Sequence, residues 1–313
     1  DHPLSTGDDN FAIARYESPN ETPTVTTFVK SGNEDITLTF TEAEFSANFS
    51  DADSDSLMKI EVTSLPANGI LRLSGADVVI NQEIPAFNLS SLTYHPATNT
   101  NGSDTFNWNA SDGLNYAASD AAVNLSIAAV NDAPVNSVPA AFGVDEDIAQ
   151  GGLVFNIADV DAGAASNFRF TLAASNGNLT LVATTGLLLF SGSNDSHLMT
   201  YQGTLANIQS ALASVSYKGD VDFSGADTIS LTANDNGNTG SGVAQTDLDT
   251  VAVTVNAIND VPVLAAIGNQ SGDEVTLITF DANASDVDTE QTLTFSLDVG
   301  APTGASINGS TGV

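Results

Sequence analysis

The chain has 313 residues, of which 39 are acidic and 6 basic, giving a formal net charge of −33. That balance excludes nucleic acid and anionic membrane surfaces as partners, since both are held by Lys and Arg, and it makes cations the natural counterions. There is no cysteine, so there is no disulfide framework, thiolate nucleophile or zinc–thiolate site, and no run approaches the roughly 20 apolar residues of a membrane span.

Length and an apolar content of 42% predict two or three domains, each with its own core. The opening "DHPLSTGDDN" has neither a basic nor an apolar leader segment, so any export signal is expected elsewhere.

Residues 11–17, inside "NFAIARYES", read as the last strand of a preceding unit, and "PNETPTV" at 19–25 follows as a linker with Asn20 and Glu21. A first unit then opens on "NEDITLTF", with Glu34, and continues to the D-x-D of Asp51 and Asp53. Apolar residues alternate with polar ones at Phe106, Trp108 and Ala110, up to the "SDG" that holds Asp112, and again at Val123, Leu125 and Ile127. Period two predicts strands. The linker phrase returns as "VNDAPVN" at 130–136, with Asn131 and Asp132.

The second unit repeats the order: Glu146 in "DEDIAQGGLVF", then Asp159 and Asp161 in "ADVDA". "TLANIQSALASV", 204–215, has Leu205, Ile208, Leu212 and Val215 at helical spacing and predicts one short helix. Alternation resumes at Ile229, Leu231 and Ala233, ends in "NDNG" with Asp235, and recurs at Val251, Val253 and Val255. A third linker, "INDVPVL" at 258–264 with Asn259 and Asp260, leads to "GDEVTLITF" and the D-x-D of Asp286 and Asp288. Markers recurring in one order identify an internal repeat. About seven short strands in roughly 110 to 130 residues per unit predict an antiparallel β-sandwich. The third unit holds only its first strands, so the chain is expected to be a piece of a longer array.

A single D-x-D is more often a turn than a metal site, because Asp and Asn favour turns; its ordered recurrence argues for metal. "DADSDSLMKIEV" from Asp51 departs from an EF-hand loop at Ser56, where glycine is required, and its Glu61 falls one position short. His2, His95 and His197 lack companion signatures, and Trp108, on an alternating strand, is expected in a core. Carboxylate pairs could serve glycoside hydrolysis, but an active site is one constellation of unlike residues. Acids that recur at equivalent places argue for architecture, and no nucleophile elbow, P-loop or dinucleotide fingerprint is present. The chain is not expected to be an enzyme.

The ordered set of Glu-Asp, D-x-D, A-x-D-x-G or S-D-G, and N-D-x-P resembles the bacterial cadherin-like repeats of giant secreted adhesins, which are related to chondroitin sulfate proteoglycan-type repeats and more distantly to animal cadherins. The third unit, with "LTFSLDVGAPTGASINGSTG", looks more like the dystroglycan-type variant. The resemblance implies an all-β chain of tandem cadherin-like, immunoglobulin-like antiparallel β-sandwiches arranged end to end, with Ca2+ bound at each junction. The expected divisions are 1–22 (end of a preceding repeat), 23–132, 133–260 and 261–313.

Calcium takes six to eight oxygen ligands at about 2.3 to 2.6 Å, which suits Asp, Asn and Glu. An extended D-x-D puts both carboxylates on one side, about 6.6 to 6.8 Å apart. Without a cation, two carboxylates near 4 Å repel by roughly 4 kcal/mol at an effective dielectric of 20. Carried over by motif, one junction combines Glu34, Asn131, Asp132, Asp159, Asp161 and Asp235, and the next combines Glu146, Asn259, Asp260, Asp286 and Asp288. Asp51, Asp53 and Asp112 then face a unit upstream. Animal cadherins add an acidic pair before the A-x-D; the second unit has Asp220 and Asp222 there, the first Ala97 and Asn99, so fewer ions are expected at the first junction. The implied function is a calcium-stiffened extender of an extracellular, cell-surface adhesin. Its expected partners are calcium, neighbouring repeats and, through other domains, other copies or a surface ligand; the alternative is a binding module or surface-layer subunit assembled by strand addition.

Overall fold

The computed structural model describes residues 19–237, 240–288 and 291–313; the strand expected over 11–17, and His2, lie outside them. The chain divides into two compact units, Asp1–Asn131 with Thr239–Val243, and Asp132–Asn238 with Ala244–Val313.

In the first unit the chain runs through β1 (Thr24–Val25), β2 (Phe28–Asn33), β3 (Leu38–Thr39), α1 (Glu42–Ser46), β4 (Phe49–Ser50), β5 (Lys59–Val62), β6 (Gly69–Leu73), β7 (Ala76–Asp77) and β8 (Gln82–Pro85). A 3-10 turn at Ala86–Ser91 leads to β9 (Leu92–Pro96), β10 (Gly102–Ser111) and β11 (Ala121–Ala128). Two main sheets form, in the orders β2-β11-β10-β5-β8 and β3-β9-β6-β7, with β1 paired to β4. Only the β2–β11 pair among them is parallel. The alternation of β10 turns Phe106, Trp108 and Ala110 inward with no exposure, and Phe40, Leu92 and Tyr94 meet them in the same core cluster. Trp108 packs edge-on against Phe28 and Phe45, with ring centroids 6.0 and 5.1 Å apart.

The second unit contains β12 (Val135–Ser137), β13 (Phe142–Asp145), β14 (Gln150–Leu153), β15 (Asn156–Ala158), β16 (Asn167–Ala174), β17 (Gly177–Leu181), β18 (Leu187–Gly192) and β19 (Leu198–Thr204). Next come α2 (Leu205–Leu212), β20 (Val215–Gly219), β21 (Gly225–Asn234) and β22 (Thr246–Asn256), and β23 (Val263–Leu264) and β24 (Ala284–Ser285) follow. The sheets run β13-β22-β21-β16-β19-β18 and β14-β20-β17, with β12–β15 and β23–β24 as two-stranded ladders. Helix α2 occupies the predicted segment. Thr204 caps it by accepting from the Asn207 amide at 3.3 Å, and Leu205, Ile208 and Leu212 enter the core. Val215 is buried too, but as the first residue of β20.

Each sandwich is fastened by a buried carboxylate. Asp104 accepts from the amides of Ala67, Asn68 and Thr105 and from the Tyr94 hydroxyl at 2.8 to 2.9 Å. Asp227 accepts from Ser175, Asn176 and Thr228 and from the Tyr217 hydroxyl at 2.7 to 3.1 Å. Burial, with the adjacent carboxylate second, pushes both tyrosines far above the ordinary phenol range.

Candidate metal centre

Three linkers meet their repeats through the same contact. The amide of Glu21 donates to Asp53 Oδ2 at 2.6 Å, that of Asp132 to Asp161 Oδ2 at 2.6 Å, and that of Asp260 to Asp288 Oδ2 at 2.7 Å. In each D-x-D the second amide donates to the first carboxylate: Asp53 to Asp51, Asp161 to Asp159 and Asp288 to Asp286, at 2.8, 2.9 and 3.0 Å. These are the bonds of an Asx turn, and they occupy one oxygen of each carboxylate. The acid that opens each complete repeat holds the linker leaving it. Glu34, 1% exposed, accepts from the Val130 amide at 2.8 Å, and Glu146, 6% exposed, from the Ile258 amide at 2.5 Å.

Within the second unit, Glu146, Asp260 and Asp288 each present a carboxylate oxygen within 4.8 Å of the others, and Asp147, Asp222 and Asp260 form an adjoining group. Asp260 belongs to both. Its Oδ2 is buried with no hydrogen-bond partner. Burial pushes the Asp260 carboxyl above the usual carboxylate range, and the like charges of Asp222, Asp288, Glu146 and Asp147 add to the shift. A half-buried oxygen cluster without a single basic member, and with one orphaned acceptor, has the donor set of a hard divalent cation.

The remaining expected residues fall as follows. Asp159 and Asp161 lie beside Asp235. Burial raises the Asp159 carboxyl; the Asp161 amide opposes this, and the charges of Asp161 and Asp235 add to it. Asp235, 1% exposed, uses Oδ1 to accept from Gly237 and Gln245 at 2.9 and 2.8 Å. Asp112 accepts in the same way from Leu114 and Asn115, at 2.6 and 2.7 Å, and from Asn20 Nδ2 at 3.0 Å. Burial pushes Asp112 upward, but these bonds prevail and hold it below its usual value. Asp51 and Asp53 group with Asp55, and Asp51 Oδ2 is buried without a partner. Asp220 stands apart, paired with His197 at 2.7 Å. Asn131 is buried at 4% exposure, whereas Asn259 is exposed and bonded to Gln291. Asp286 contributes the turn acceptor for Asp288.

Two members were not expected from the sequence, Asp55 and Asp147. Asp55 extends the first D-x-D to D-x-D-x-D. Asp147 follows Glu146 with φ +57°, as Asp35 follows Glu34 with φ +58°. Asn99 stands in the first repeat where Asp222 stands in the second, with φ values of +53° and +56°, and its amide donates to Asp35 at 3.0 Å. Among the described residues no helix is long and apolar enough to cross a membrane.

Residues 19–128 match the family model of the cadherin-like domain, and residues 162–243 that of the Protein GAMETE EXPRESSED 2 domain. The sequence matches no curated protein. Solved structures similar to it include human CDH23 EC21-23, at 15% identity over 93% of this chain and 88% of that one with a TM-score of 0.42. Human protocadherin-24 EC1-2 is similar at 16% identity over 75% and 99%, TM-score 0.36. The endo-fucoidan hydrolase MfFcnA4 from glycoside hydrolase family 107 is similar at 17% identity over 76% of this chain, TM-score 0.25, and this chain spans 29% of its length. With none of these three TM-scores above 0.42, the fold rests on the strand pairing and not on the likenesses.

Proposed function

We propose, for a chain whose residues 19–128 form a cadherin-like domain, that it is a calcium-stiffened structural extender of a large extracellular, cell-surface adhesin. It would be built from repeats over 23–132, 133–260 and 261–313 and would act without catalysis. The observation that carries this is the group of Glu146, Asp260 and Asp288, joined by Asp222 and Asp147, with an orphaned oxygen on Asp260. Calcium would neutralise these carboxylates, with Asn259 and Asp286 as neighbouring oxygen donors. By repetition the same role extends to Asp51, Asp53 and Asp112, and to Glu34, Asn131, Asp132, Asp159, Asp161 and Asp235. Asp220 would take part only by releasing His197.

Ion binding stabilises the folded state by RT ln(1 + [L]/Kd), about 2.7 kcal/mol per site at a hundredfold excess over Kd. Calorimetric titration should show calcium binding that Asp260→Asn weakens by about tenfold or more, since one carboxylate charge is removed from the set. Chelation should leave the sandwiches folded but speed proteolysis within 256–264. Equal cleavage with calcium and with chelator, or no binding heat, would remove this reading.

A second reading is favoured by β18, a sheet-edge strand whose Leu188, Leu189 and Phe190 are 67%, 46% and 56% exposed. Such an edge suits a binding module or surface-layer subunit assembled by strand addition. Sedimentation at rising concentration separates the two: an extender stays monomeric and an assembling subunit does not.

A further inference from the structure

The strands β21 and β22 belong to the second unit, yet residues 240–243 of the loop between them fall within the first, together with linker residues 129–131. The Ser241 amide donates to the Ala129 carbonyl at 2.9 Å, and the Asn131 amide donates to the Ser241 carbonyl at 3.0 Å. A parallel bridge aligns Val130 with Ser241. Side chains add to it: the Ser241 hydroxyl donates to Ala129 O at 3.2 Å and Asn131 Nδ2 to Val243 O at 3.2 Å. The approach is close enough to demand glycine. Gly240 has φ +80°, and a Cβ there would lie 2.6 Å from the carbonyl carbon of Val130 and 2.7 Å from the amide nitrogen of Asn131.

Among the described residues, the two linkers differ in exposure. Ala257, Ile258 and Asn259 are exposed, whereas Ala129 and Val130 are half-buried and Asn131 is buried. The first repeat's own turn at this place, 112–115, is closed by the Asp112 side chain, which reaches its linker through Asn20 Nδ2.

We infer that residues 240–243 are a strap that holds linker residues 129–131 in place by backbone hydrogen bonding, independently of any metal. The strap uses no carboxylate, so it stands whether or not the acidic groups bind calcium. It keeps this linker ordered when the cation is withdrawn.

Hydrogen–deuterium exchange on the whole chain tests this, in calcium and in chelator, on the wild type and on Gly240→Val. In chelator the wild-type amides of Asn131 and Ser241 should exchange about tenfold or more slowly than those of Ala257 and Asn259. Gly240→Val should abolish the difference in either medium, while amides of Phe170 and Leu231 stay protected and report an intact fold. Wild-type amides of Asn131 and Ser241 that exchange as fast as Ala257 in chelator would overturn the strap on their own, as would unchanged protection in Gly240→Val. If that variant unfolds, Gly242→Ala, at φ +139° and 3.5 Å from Asn131 Cβ, gives a milder loosening to be read in the same amides. An unaltered exchange pattern over 257–260 on chelation would count against calcium and leave the strap standing.

Discussion

Asp227 and Asp260 carry the same side chain and have opposite surroundings. Asp227 is met by three amides and a phenol, so its charge is satisfied in the interior. Removing it leaves the buried Tyr217 hydroxyl and three part-buried amides without that acceptor, and Asp227→Ala should cost on the order of 2 kcal/mol or more, read by denaturant unfolding; Asp104→Ala should do the same in the first sandwich. Asp260 stands among other carboxylates, and burial first, with their like charges adding to it, holds its carboxyl above the ordinary range. The sign follows from linkage. A carboxyl raised in the folded state favours folding while it is protonated, and that contribution is lost as pH climbs through its folded value. In chelator, the Asp260 carboxyl carbon should therefore titrate above about 3.9, and calcium should bring it down; a normal value in chelator would contradict the crowding of charge described here. Neither environment can be read from the letter D. The Asp–Tyr fastening did leave a trace, since each buried Asp precedes a Thr and lies ten residues after its Tyr, a spacing legible only once β9–β10 and β20–β21 are known to face each other.

At the scale of elements, two helices show what local sequence can and cannot announce. Helix α2 was predicted because four apolar residues recur at helical spacing over a full segment, and its burial of Ile208 explains why the spacing is there. Ile208→Ala should destabilise the second sandwich by about 2–5 kcal/mol. Helix α1 is one short turn, too brief for a periodic pattern, although "TEAE" is a capping box: Thr41 Oγ1 accepts from the Glu44 amide at 3.3 Å and Glu44 Oε2 accepts from the Thr41 amide at 2.8 Å. Thr41→Ala should cost about 1 kcal/mol. The single tryptophan reports on the first sandwich alone, because Trp108 lies wholly inside that core, so its fluorescence in a urea titration separates the Thr41 effect from events in the second unit. The strands themselves were largely legible. Alternation marks β10, β11, β21 and β22, whose inner faces are buried and outer faces exposed. The short pieces β1, β4, β7 and β15 have two or three residues, too few to alternate, and exist only because a neighbour supplies their hydrogen bonds.

For the molecule as a whole, a charge of −33 opposes compaction wherever no cation intervenes. Raising sodium chloride from about 10 to 150 mM shortens the Debye length from about 30 to 8 Å. The melting temperature in chelator should rise accordingly, with a much smaller rise when calcium is bound; equal increments would show that the acidic groups are not where the repulsion is concentrated. Charge, the absence of cysteine, the alternation of strands and the ordered return of the acidic phrases all belong to the sequence, because each depends on composition or on near neighbours along the chain. Tertiary structure decided the rest. "VNDAPV" and "INDVPV" are nearly the same phrase, yet Asn131 is buried and Asn259 exposed, since the loop that carries Val243, more than a hundred residues away, reaches the first. Asp147 and Asp222 join Asp260, and Asp220 turns to His197, for the same reason: carboxylates converge or part according to loops set by distant strands, and no spacing along the chain encodes that distance.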